Sequence, residues 1–288
     1  MDSSVIKSAV GLASSAAARV RVLVMTGYGL NCEAETQAGF EMLGTRVTMR
    51  HVSDLVRERG AAIGEHDLVV FIGGFSFGDH VASGRVLANR LRARLGPAFA
   101  RFIDAGGLVL GMCNGFQVMV KLGLLPALGR RPGEPLAAQT VSLVSNERLG
   151  YRDAWVKLGI NADSPCVFTR GLMQLDVPSR HAEGKLVFDP AVAESIEREH
   201  LVPVRYLDDQ GDPTTAWPDN PNGSPGGAAG LCDRSGRIFG LMPHPEAYLY
   251  PENHPRWLEQ RDQGQLPRVG QGLRLLANGV RAAARDRR

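Results

Sequence analysis

An α/β fold, with a mainly parallel sheet flanked by helices, is what this sequence predicts. Between residues 20 and 125, short runs rich in β-branched residues alternate with stretches whose apolar residues recur at helical spacing. Several runs close on glycine, at Gly27 and Gly29 and again at Gly73-Gly74. Alternation of this kind builds a sheet covered on both faces, with its active site outside the carboxyl ends of the strands.

Taken in order, residues 20–25 (VRVLVM) read as the first strand, and residues 33–43 as a helix. Glu33 and Glu35 fall in the first turn of that helix, and Gly44 lies just past its end. Residues 46–51 read as a second strand, and Ser53 as the cap of a short helix. Residues 67–72 (DLVVFI) are apolar enough for a buried central strand. A helix is expected over 81–95, another central strand over 108–112, and a helix at once over 114–122. The shorter, more polar runs 139–144 and 154–158 read as antiparallel strands extending the sheet. Residues 219–230 hold too much Gly and Pro for an element interior and read as a loop. The last clear strand, 238–242, ends at Pro243-His244-Pro245-Glu246, and Leu273, Leu276 and Val280 suit a terminal helix docked on the core.

The chain has 288 residues, 44% of them hydrophobic and 22% charged, which suits one globular domain needing no disulfides or metals to fold. Residues 1–19, rich in Ala and Ser, are expected as a disordered extension, and 20–288 as the domain. A net charge of +3, with Arg281, Arg285, Arg287 and Arg288 crowded at one end, reads as a solvated tail rather than a nucleic-acid footprint. No apolar run approaches the roughly 20 residues of a membrane span. Cys32, Cys113, Cys166 and Cys232 are scattered without zinc-type spacing and read as free thiols of the cytoplasm.

Gly111-Met112-Cys113-Asn114-Gly115 stands between a buried strand and a helix. A nucleophile on so sharp a turn needs small neighbours, which Gly111 and Gly115 supply. The helix aims its first N–H groups and positive end at the sulfur, which favours the thiolate. The bland alternative is a buried cysteine packed as a small hydrophobe, as most free cysteines are. Gly73-Gly74, ending the neighbouring strand, and the N–H of Asn114 can together form an oxyanion hole, although a plain tight turn uses the same glycines. His244 and Glu246, two residues apart at a strand end, complete a Cys–His–Glu pattern in which the imidazole shuttles a proton and the carboxylate fixes its tautomer.

These pieces resemble the class I (triad) glutamine amidotransferases. The resemblance is to the glutaminase component of phosphoribosylformylglycinamidine synthase. It rests on residues 29–33 (GLNCE), 73–79 (GGFSFGD), 111–117 (GMCNGFQ), 181–184 (HAEG), 220–224 (NPNGS) and 243–246 (PHPE). It implies a flavodoxin-like glutamine amidotransferase fold with Cys113 as nucleophile, His244 as base and acid, and Glu246 as orienter. It further implies Gly74 and Asn114 around the oxyanion, Gln117 in holding glutamine, and His181 either near the pocket or in a structural turn. The expected activity is release of ammonia from glutamine and its transfer to a partner synthetase that amidates formylglycinamide ribonucleotide in purine synthesis. ATP and magnesium are then expected on the synthetase, with no metal or cofactor on this chain; a small third subunit is left open. No Gly-x-x-x-x-Gly-Lys-Ser/Thr phosphate loop occurs here. Three departures stand out: Ala247 where the family usually has arginine, Gly150 and Ala154 where basic residues are expected, and the N-terminal extension.

Other readings remain at this stage. Cys32 also follows a strand in a glycine-containing loop, but lacks the tight elbow. A free-standing cysteine hydrolase on the same architecture usually has its histidine soon after the cysteine, whereas no histidine falls between Cys113 and His181. A non-catalytic subunit binding a synthetase has no physical need for Cys113, His244 and Glu246 together.

Overall fold

The computed structural model describes residues 3–285, and side chains from Val5 onward. Its helices and strands follow in chain order: α1 (Ser3–Ala9), α2 (Ser14–Ala17), β1 (Arg21–Thr26), α3 (Glu33–Met42), β2 (Arg46–His51), α4 (Val52–Arg57), α5 (Ala61–Gly64) and β3 (Leu68–Phe71). Next come α6 (Arg85–Asp104), β4 (Leu108–Met112), α7 (Asn114–Leu122), β5 (Val141–Ser145), β6 (Arg152–Ile160), β7 (Gln174–His181) and β8 (Glu183–Phe188). Then α8 (Pro190–Arg198), β9 (Val204–Leu207), β10 (Gly230–Cys232), β11 (Ile238–Leu241), α9 (Trp257–Asp262) and α10 (Gln271–Arg285) complete the described chain.

The central sheet has six strands in the order β10-β11-β4-β3-β1-β2, parallel except for the β10–β11 pair. Its inner strands β3, β4 and β11 are buried along their whole length, which is why their sequences are continuous apolar runs. Register aligns the carboxyl ends: Phe71 pairs with Gly111, and Leu241 with Met112. Whatever follows β3, β4 and β11 is thereby delivered to one place. Gly115 brings α7 against β3, because a methyl there would sit 2.0 Å from the Phe71 carbonyl oxygen.

The middle strands are antiparallel as expected but do not extend this sheet. β5 pairs with β8, and β7-β6-β9 form a second small sheet. Helix α6 also differs from the expected 81–95. It starts at Arg85 and runs through Pro97 to Asp104, because its buried face continues through Ala98, Phe99 and Phe102. Ser53 lies inside α4 rather than capping it, and the His51 ring accepts the hydrogen bond from the Ser53 N–H at 3.1 Å.

The expectation of disorder over residues 1–19 is not met from Ser3 onward. Ile6, Val10, Leu12 and Ala17 are buried in the main core. Helix α10, whose own Leu273, Leu276 and Val280 are buried, packs against α2 and reaches the end of α1 through Arg281. Arg281 is not a solvated tail residue either, since its guanidinium is half-buried and bonds the Asn278 side chain and the Val10 carbonyl. Arg287 and Arg288 lie outside the described residues.

Candidate active site

Cys113 stands between β4 and α7 with φ 51° and ψ −112°, a conformation that side-chain-bearing residues rarely adopt. The turn is held from both sides: the Cys113 N–H donates to the Leu241 carbonyl at 2.9 Å, and its own carbonyl accepts from the Gln117 N–H at 3.1 Å. The thiol is buried and donates to the Arg180 carbonyl at 3.4 Å.

His244 and Glu246 follow β11. The His244 Nδ1 and a Glu246 carboxylate oxygen are 2.6 Å apart, and both residues are buried. Since the carboxylate accepts, Nδ1 carries the proton in the neutral ring and Nε2 presents its lone pair. The imidazole lies beside the sulfurs of both Cys113 and Cys32. Burial by itself would lower its pKa. The Glu246 carboxylate and the Cys113 sulfur outweigh burial and hold the pKa well above the usual histidine value.

Gly73 packs into the same space. A methyl group there would lie 2.9 Å from the Cys32 sulfur, 2.9 Å from His244 Cε1 and 3.5 Å from Cys113 Cβ. Gly74 has φ +134°, and its backbone bridges residues 29–31 through Asn31 N–H to the Gly73 carbonyl and Phe75 N–H to the Gly29 carbonyl. That pairing leaves the Gly74 N–H outside the bridge.

Asn114 and Gln117 are buried on the first turns of α7. The Asn114 amide donates to Asp79 at 3.2 Å and to Gln117 Oε1 at 3.0 Å, while Gln117 Nε2 donates to the Glu183 carbonyl at 2.6 Å. Gln117 is thus engaged at both ends of its amide. Asp79, in the segment after Gly73-Gly74, has a pKa raised by burial against the pull of Ser83 and Gly84.

His181 lies near this centre but turns its ring nitrogens elsewhere, Nδ1 to Asn146 Oδ1 at 3.0 Å and Nε2 to Ser179 Oγ at 2.9 Å. Burial first, and the nearby His244 second, push its pKa down to about 3.

Three neighbours were not singled out for the pocket by the sequence: the Arg180 carbonyl, Asp79 and Tyr151. Of these Asp79 carried a signal as the end of the GGFSFGD segment, and Tyr151 as a residue that the stretch after Asn146 keeps from the family pattern. Burial, then the Cys113 sulfur, raises the pKa of the Tyr151 phenol, which stays 55% exposed. Its ring sits 6.2 Å from that of Phe75. The segment after Glu246 is an ordered part of the fold: Tyr248 meets Trp155 edge-on at 5.1 Å, and His254 Nε2 is 2.9 Å from Asp176. A cavity of about 490 Å³ lies at the opposite end of the sheet, lined by Arg21, Arg101 and Arg237 among others, and includes none of these groups.

The sequence and the fold both have known relatives. The profile of the CobB/CobQ-like glutamine amidotransferase domain matches residues 19–281. The phosphoribosylformylglycinamidine synthase subunit PurQ of Dehalococcoides mccartyi is 38% identical over 92% of this chain and 98% of its own length. The PurQ subunit of Methanococcus maripaludis strain S2 is 40% identical over 82% of this chain and 85% of its own. A solved chain of PurLQS from Thermotoga maritima shares the fold, with a TM-score of 0.63 at 24% identity, over 91% of this chain and 98% of that one. The chain belongs to the glutamine amidotransferase family, in the branch formed by the PurQ subunits of phosphoribosylformylglycinamidine synthase.

Proposed function

We propose that this chain is the glutaminase component of phosphoribosylformylglycinamidine synthase, splitting glutamine into glutamate and ammonia for a partner synthetase. The observation that carries this reading is the His244–Glu246 contact of 2.6 Å, set beside a cysteine on a strained turn. A carboxylate-backed imidazole next to a sulfur is an arrangement for activating a nucleophile.

In this scheme the Cys113 thiol turns from the Arg180 carbonyl and passes its proton to His244 Nε2. The sulfur attacks the side-chain amide carbon of glutamine, and the oxyanion is held by the N–H groups of Gly74 and Asn114. His244 protonates the leaving nitrogen, the carbon–nitrogen bond breaks, and ammonia departs from a glutamyl thioester. Water then attacks the thioester with His244 as base, releasing glutamate and restoring the thiol. Gln117 and Asp79 fix Asn114, and Gln117 adds a contact to glutamine once the substrate displaces one of its present partners.

Ammonia set free in bulk water is diluted and protonated, so the chemistry calls for direct transfer to a docked synthetase. We place ATP and magnesium on that synthetase, with a small third subunit as a further member of the assembly. Four free, buried thiols suit the reducing cytoplasm.

The test is glutamine-to-glutamate turnover by this chain, alone and with the synthetase and formylglycinamide ribonucleotide. Turnover that rises on their addition, and is abolished in Cys113→Ala, is expected. Turnover indifferent to any synthetase would point to a free-standing hydrolase, and its survival in Cys113→Ala would overturn the scheme.

A further inference from the structure

We propose that Cys32 and His244, backed by Glu246, form a buried site for a thiophilic divalent cation such as zinc, and that filling it shuts the catalytic centre. The sequence shows no metal-ligand spacing, yet the fold gathers these three buried residues with one ligand atom from each within 4.8 Å of the others. They arrive from the ends of β1 and β11, which are not neighbours in the sheet.

Two of the groups have no partner at full hydrogen-bond geometry among the described residues, namely His244 Nε2, which faces the two sulfurs, and the second carboxylate oxygen of Glu246. Buried polar atoms are rarely left unpaired, because the lost solvation costs about 1–3 kcal/mol. His244 is 4% exposed, so water reaches its ring poorly. The Cys32 sulfur is loosely held, donating to Asn31 Oδ1 at 3.6 Å. A methyl at Gly73 would be within 3.5 Å of Cys113 Cβ as well as 2.9 Å from the Cys32 sulfur, so a second sulfur borders the same space.

The donor set chooses the cation. Sulfur and imidazole suit zinc, at about 2.3 Å and 2.0–2.1 Å, whereas magnesium and calcium seek oxygen. Closing from the present spacing draws the ligands inward by on the order of 1 Å. His244 binds through Nε2, and Glu246 stays on Nδ1 as the carboxylate that orients a metal-bound histidine. Cys113, turning from Arg180, supplies the second sulfur. Each thiol, and the His244 ring where it carries a second proton at Nε2, releases that proton to solvent as its bond to the metal forms, and no electron changes hands. With the nucleophile's lone pair and the proton acceptor both committed to metal, neither attack nor proton transfer can proceed. The silencing rests on the function proposed above, whereas metal binding itself does not.

Cadmium is the probe, because its bonds to thiolates absorb in the ultraviolet and report how many sulfurs bind. The full chain, titrated with cadmium, is expected to bind one ion through two thiolates. Cys32→Ser and Cys32→Ala, checked for folding by circular dichroism, should each halve the band and weaken binding at least about 10-fold. Cys113→Ala should halve the band while still binding. In turnover assays zinc should inhibit reversibly, with chelator restoring activity. The midpoint should rise at least about 10-fold in the Cys32 variants. A band unchanged in both Cys32 variants would put the metal elsewhere and overturn the proposal. Absence of glutamine turnover before any metal is added would instead count against the glutaminase reading, with the cadmium band still judging the site.

Discussion

His181 and Asn146 hold each other twice: the ring Nδ1 lies 3.0 Å from Asn146 Oδ1, and Asn146 Nδ2 donates to the His181 carbonyl at 3.0 Å. The Asn146 oxygen only accepts, so Nδ1 bears the proton and Nε2 accepts from Ser179. The pair anchors the start of the loop that leads from Asn146 to Tyr151. Replacing His181 with Ala strands two buried partners, with an expected loss of roughly 2–3 kcal/mol in urea unfolding. The KM for glutamine should rise more than kcat falls. The neutral ring also makes the fold acid-sensitive. Its folded pKa of about 3 lies below the ordinary 6.5, so the unfolded chain takes up the proton first. This contribution is complete above pH 6.5 and drains away as pH falls toward 3, and His181→Asn should flatten that slope in melts taken across the window.

Glu246→Gln keeps the shape but removes the charge that holds His244 Nδ1–H. The ring then loses its fixed tautomer and its stabilised cationic form. Turnover should drop by roughly 10²-fold or more at an unchanged melting temperature, as for other triads with a neutralised orienter. A loss below threefold would show that His244 works without it.

Gly73→Ala pushes one carbon between the Cys32 sulfur, His244 and Cys113. A displacement approaching an ångström at reacting groups costs about 10² in rate, and most of it should fall on kcat. The crystal structure of the variant, or the reaction of Cys113 with iodoacetamide, would show whether the imidazole has moved.

Lys121 is buried on α7, and its ammonium has no hydrogen-bond partner among the described residues. Burial first, then Arg85, lowers its pKa from 10.5 to about 8, while Glu183 and Asp79 oppose the shift. The charged form therefore destabilises the fold fully below pH 8. Between pH 8 and 10.5 the folded chain gives up the proton that the unfolded chain keeps, and the penalty fades. Lys121→Met should stabilise by on the order of 1–2 kcal/mol at pH 7 and by progressively less above pH 8, measured by denaturant titration.

The parallel core was legible because buried central strands write themselves as unbroken apolar runs, as in β3 and β4. The elbow was legible for a related reason, since the turn at Cys113 tolerates few residues on either side. Strand pairing in the middle was not. Polar, half-exposed runs such as β5 and β6 name no partner, and only the assembled surfaces decide whether they join the main sheet. The N-terminal helices were missed because Ala and Ser dilute their apolar face, and burial came from α10, some 250 residues away in sequence. The approach of Cys32 to His244 was hidden likewise, since spacing along the chain says nothing about neighbours gathered at strand ends.

The bond from Arg281 to the Val10 carbonyl joins groups 271 positions apart. A contact so distant in sequence carries a large loop-closure cost and cannot nucleate folding. During synthesis the first two helices emerge long before their cover exists, and their apolar faces wait while the sheet assembles behind them. Locking of the structure is therefore a late event, reserved for the arrival of α10. Any interruption of synthesis before that helix would leave a nearly finished enzyme with a sticky, unsealed flank.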